Sequence, residues 1–83
     1  MGDEGSVVRG FGLVEGRVIN RGSKSERVAI EVESDGGKLR LVRPKGNPFH
    51  DPVLHRLIGA VIDYEGRIVD GALVLDKWRR RPS

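Results

Sequence analysis

A chain of 83 residues without cysteine has room for one domain and one modest core. It excludes disulfide staples, thiolate metal sites and a cysteine nucleophile. Fifteen Lys and Arg against twelve Asp and Glu leave a net charge of +3, too mild for a histone-like protein.

Residues 1–6 read as a flexible start, 7–79 as a single domain and 80–83 as a basic end. The first extended segment runs from about Val8 to Asn20, where Val14, Gly16 and Val18 alternate with Glu15 and Arg17. Glycines at positions 10, 12 and 16 let this long strand tolerate strong coiling or a bulge. N-R-G-S-K-S is a loop, since Asn20 and Gly22 accept turn conformations.

Arg27–Glu33 has the cleanest strand pattern. Val28, Ile30 and Val32 face one way, and Arg27, Ala29, Glu31 and Glu33 the other. S-D-G-G at 34–37 is a hairpin signal, and Lys38–Arg43 is the partner strand with Leu39 and Leu41 inward. Pro44, Gly46 and Pro48 then stop the sheet. Asp51 is placed as an N-cap, Pro52 at the first helical position and Gly59 just past the end. Val53, Leu54, Leu57 and Ile58 recur between them at helical spacing, in a helix too short to stand without an apolar face to dock on. Ala60–Glu65 resumes as strand, 66–71 reads as a turn region, and Ala72–Trp78 is the last strand. Ile62 and Leu73 or Val74 complete the expected core.

Both histidines fall in N-P-F-H-D-P-V-L-H. His50, Asp51 and His55 are the only local set that resembles a metal site, and Asp51 is better used as the cap. The expectation is no metal, no cofactor and no catalysis. The serines at 6, 23, 25, 34 and 83 have no paired base. The glycines at 10, 12 and 16 lead into more strand rather than a helix that would cradle phosphate. Apolar runs are too short to span a bilayer, the start M-G-D-E-G-S has no apolar signal segment, and Ser6 alone only weakly suggests myristoylation of Gly2. A soluble cytoplasmic protein that does not engage membranes is expected.

Five short strands with a small helix between the third and fourth resemble the OB-fold, a five-stranded Greek-key barrel. The resemblance runs from about Val7 to Arg79. L-I-G-A-V-I-D-Y-E-G-R-I-V-D-G-A-L-V-L-D-K-W is similar to the closing half of many small OB-fold proteins, and D-G-G-K-L-R-L resembles their second hairpin. That superfamily includes single-stranded DNA and RNA binders, anticodon-binding modules and small bacterial domains of unassigned role. The resemblance implies a non-catalytic domain that binds single-stranded DNA or RNA weakly and with little sequence preference.

Charge agrees in sign. Residues 1–36 carry five basic and seven acidic groups, whereas residues 37–83 carry ten and five. Arg17, Arg21, Lys24 and Arg27 flank the first loop, and Lys38, Arg40, Arg43 and Lys45 lead off the third strand. Arg79, Arg80 and Arg81 would add a mobile contact, with Trp78 the best stacking candidate. One departure stands out: the second and third strands contain no aromatic residue, and Tyr64 and Phe49 read as core. A different function class, a protein-interaction or oligomerisation module, is suggested by the mixed-sign face Arg27, Ala29, Glu31 and Glu33, on which the glutamates repel a polyanion. Oligomeric state is expected to be monomer or weak homo-oligomer.

Overall fold

The structure is a computed structural model that describes residues 6–34, 36–46 and 51–82. It is mostly β. Strands β1 (Val7–Ile19), β2 (Arg27–Ser34), β3 (Gly37–Val42), β4 (Val61–Val69) and β5 (Ala72–Arg80) are joined by one short helix, α1 (Pro52–His55), between β3 and β4. The strands close on themselves in the order β1-β2-β3-β5-β4. All neighbours are antiparallel except β3 and β5, which run parallel over Arg40–Val42 and Ala72–Val74.

β1 makes closure possible by serving two partners. Val7–Leu13 pair with β4 and Leu13–Ile19 pair with β2, so the strand changes neighbour at Leu13. The coil this demands depends on Gly12, where a Cβ would lie 2.0 Å from the Glu33 carbonyl oxygen. No side chain fits that approach.

Inward-facing positions fill the ring. Val14, Val32, Ile62, Leu73 and Leu75 are fully buried, with Ile30, Leu41, Leu54, Leu57 and Tyr64 around them. Leu73 rather than Val74 takes the inner position on β5. Val28 and Leu39 pack on this core but are only partly buried.

The fourth strand extends further than the expected end at Glu65. It continues to Val69, and the turn is reduced to Asp70 and Gly71, both at positive φ (50° and 79°). Gly66 reads as a turn residue in isolation, yet it lies within the strand, at a place where a Cβ would sit 2.1 Å from the Val74 carbonyl oxygen and only glycine fits. At this point Glu65 pairs with Lys77 and Gly66 with Leu75, so Asp76 is an extra, unpaired residue on β5. The bulge keeps Trp78 on the same side as Leu75.

α1 has four residues, shorter than the helical spacing of Val53–Ile58 implies. After it the hydrogen bonds tighten to three-residue spacing, Leu57 to Leu54, Ile58 to His55 and Ala60 to Leu57, as helix ends often do. Gly59, at φ 90°, then turns the chain into β4. Leu54 and Leu57 drive the segment onto the core. No helix among the described residues is long and apolar enough to cross a membrane.

Candidate nucleic-acid interface

The outer face of β1, β2 and β3 carries the largest group of charges singled out above. Across the sheet, Glu15 faces Glu31 and Glu31 faces Arg40, while Glu33 faces Lys38. This placement lets the strand glutamates take up neighbouring cations. Lys38 Nζ lies 3.1 Å from Glu15, and Arg17 lies 3.8 Å from Glu31. The hydrogen bond to Glu15, with the charges of Glu15, Glu33 and Glu31, holds the Lys38 ammonium above its usual pKa. Both cations thus have carboxylate partners on their own sheet.

Arg43 is engaged elsewhere. Its Nε and Nη2 donate to the two oxygens of Asp51 at 2.8 and 3.0 Å. One of those oxygens also accepts the Val53 and Leu54 N–H groups at 3.0 and 3.5 Å. Asp51 therefore caps α1, as its position before Pro52 implies, and ties the helix to the end of β3. Its carboxyl is buried and held below the usual carboxylate range, first by the Arg43 hydrogen bond and further by the backbone donors, against the opposing effect of burial.

The carboxy-terminal cations also have structural contacts. β5 pairs with β3 only through Ala72–Val74 and with β4 along its whole length. Residues 77–80 consequently lie beside β4 rather than β3. Arg80 donates to the Arg56 carbonyl at the end of α1. Arg81 donates its backbone N–H to Val61 at 2.8 Å and its side chain to Asp63 at 2.8 Å, and its guanidinium lies over the Phe11 ring at 4.0 Å. Trp78 is half-buried, opposite Tyr64 and packed on the core.

Arg21, Lys24, Arg40, Lys45 and Arg79 form no ion pair among the described residues. The first four share a region of the topology. Arg21 and Lys24 lie in the β1–β2 loop. That loop is shaped by Asn20 and Gly22 at positive φ, by the Ser23 hydroxyl donating to the Asn20 carbonyl at 2.8 Å, and by Glu26 accepting from the Gly22 N–H at 3.0 Å. β2 and β3 are antiparallel, so Lys45, just past β3, lies at the end of the sheet where β2 begins. Arg40 is half-buried in β3 between them. Arg27 opens β2 opposite Ile19. Arg79 faces Asp63 on β4, away from this group.

One exposed aromatic was not assigned a role from the sequence. Phe11 is 52% exposed on the outer side of β1. Its odd-numbered position, against the inward Val14, was the signal that it points outward. Among the described residues no cluster of His, Asp and Glu is arranged to hold a metal ion; Phe49 and His50 lie outside the described residues. No family model matches this chain, and no curated protein matches it either.

Proposed function

We propose that this chain is an OB-like barrel domain without catalytic function that binds single-stranded DNA or RNA weakly through its phosphates. The order β1-β2-β3-β5-β4, with the helix between β3 and β4, supports the OB-like reading. The observation that carries the ligand class is the set Arg21, Lys24, Arg40 and Lys45, cations without carboxylate partners among the described residues around one end of the β1–β2–β3 face. Such groups gain from phosphate contact without first giving up an internal partner. No aromatic side chain lies on β2 or β3, so base stacking adds little there and sequence preference is low. Arg17, Lys38, Arg43 and Arg80 serve the fold in this reading.

Titrating ¹⁵N-labelled protein with mixed-sequence 12-mers of DNA and RNA at two salt concentrations tests the proposal. Shifts should centre on residues 21–24 and 40–45. Two to four phosphate contacts give a slope of log affinity on log salt of roughly −1.4 to −2.8 for a single strand. No shift at low salt would refute the proposal.

A further inference from the structure

Among the stretches of strand that have a neighbour on one side only, Glu15–Ile19 of β1 lies beside the helical segment that precedes β4. Val14 donates to the Ala60 carbonyl at 2.9 Å and accepts from the Gly59 N–H at 2.8 Å. The even-numbered residues of β1 thus aim their backbone groups away from β2, as antiparallel alternation requires. Beyond Val14 that side has no neighbouring strand, and Glu15–Ile19 pair with β2 alone. The β1–β2 register is unbroken to Ile19, so Gly16 and Val18 each present one N–H and one C=O at an open edge. No hydrogen bond from the described residues reaches these four groups. Both residues are exposed.

The edge opens onto a cleft of about 420 Å³ whose walls include Glu15, Gly16, Arg17, Ile58 and Gly59. Its inner wall is apolar. Ile58 is 41% exposed, and its Cδ1 lies 2.9 Å from the place a Gly16 Cβ would occupy. Its outer wall carries Arg17 and Lys38 beside Glu15 and Glu31. The Arg17 side chain is 66% exposed and lies 3.8 Å from Glu31, a separation long enough to leave guanidinium N–H donors for a further carboxylate.

We propose that this edge accepts an extended peptide of another protein as an added antiparallel strand, selecting an apolar–acidic–apolar core of three residues. The two outer residues of that core face Gly16 and Val18 and exchange four N–H···O bonds with them, satisfying every free group on the edge. Their side chains fall on the inner face, against Ile58 and Val18. The middle residue lies opposite Arg17 and points outward, where a carboxylate meets the exposed guanidinium. A second copy of β1 fits less well, because the pairing that uses all four groups sets Arg17 against its own counterpart. The proposal stands apart from nucleic-acid binding, since it uses none of Arg21, Lys24, Arg40 or Lys45.

The probe is the capped peptide acetyl-Val-Glu-Val-Glu-Val-amide, titrated to millimolar concentration into the full ¹⁵N-labelled chain. Exchange of the Gly16 and Val18 amides should slow by about tenfold when the peptide is at ten times its Kd. The same peptide N-methylated at each valine should give no protection. Lysine in place of glutamate should weaken binding about two- to fivefold, and Arg17→Glu, with its fold checked by circular dichroism, should reverse that preference. Absence of protection at Gly16 and Val18, equal binding of the methylated peptide, or indifference to the Arg17 reversal would each overturn the proposal.

Discussion

Arg43 and Asp51, eight positions apart, form a two-pronged ion pair, 2.8 and 3.0 Å between donors and acceptors, that joins the two ends of the connection from β3 to α1. The same carboxylate holds the first N–H groups of the helix. One side chain thus fixes both the start of α1 and its docking on the sheet. A Cβ at Gly46 would lie 2.1 Å from an Asp51 oxygen, so the neighbouring glycine is part of the same arrangement.

Asp51→Ala should destabilise the fold by about 0.5–2 kcal/mol through loss of the cap, with a further loss because Arg43 is left without its partner. Asp51→Asn separates charge from cap. The Asp51 carboxyl has a folded pKa below its unfolded value, so its contribution is complete above the unfolded value of about 3.9 and disappears as pH falls through the folded value. Denaturant unfolding from pH 7 to pH 2 should therefore show the gap between wild type and Asp51→Asn closing below about pH 4. A gap that stays constant to pH 2 would contradict this role.

Two arginines close in sequence should respond in opposite ways. Arg40→Ala should lower affinity for single-stranded oligonucleotides about equally for every sequence, and should flatten the salt slope by about 0.7, while leaving the melting temperature nearly unchanged. Arg43→Ala should lower the melting temperature and have little direct effect on affinity. Fluorescence anisotropy and thermal unfolding on the same preparations provide both measurements.

Trp78→Ala is expected to act on stability. The ring packs on the core opposite Tyr64, and its removal should cost about 2–4 kcal/mol, somewhat less than for a fully buried ring. Oligonucleotide affinity of the folded variant should stay within about twofold. A large affinity loss without a stability loss would restore Trp78 as a stacking platform.

Gly12→Ala should be disruptive, because the added methyl meets the Glu33 carbonyl at 2.0 Å where β1 passes from β4 to β2. At least about 1–3 kcal/mol is expected from the overpacking. Gly36→Ala has open space around it and should stay within about 0.5 kcal/mol of wild type. Chemical denaturation of the two variants side by side is the check.

The architecture was largely legible because alternation and punctuation agreed. Val28, Ile30 and Val32 did specify the inner face of β2, and Asp51, Pro52 and Gly59 did mark the helical segment. Gly66 misled because a glycine inside a strand and a glycine opening a turn look alike until the opposing Val74 carbonyl is placed. The cation list was harder to read. Arg17, Lys38, Arg43, Arg80 and Arg81 look equivalent to Arg21 and Lys24 along the chain, and only strand register and the return of the helix bring Glu31, Glu15, Asp51, the Arg56 carbonyl and Asp63 to them. Ion pairing across a closed sheet is a long-range property, and composition carries little of it.

The single extra residue on β5 decides more than a local kink. Counting from Leu73 and Leu75, strict alternation would send Lys77 and Arg79 into the barrel and Trp78 out to water. Asp76 shifts that count by one, so the tryptophan goes inward and the two cations go outward. The parity of one strand, and with it the sign of the charge on its outer surface, therefore rests on a residue whose own side chain only reaches Arg67 at the surface. Deleting Asp76 would leave Leu75 opposite Gly66 and Lys77 opposite Glu65 in a regular ladder, with Trp78 still inward, whereas drawing Asp76 into the ladder as an ordinary strand residue would invert everything that follows it in β5.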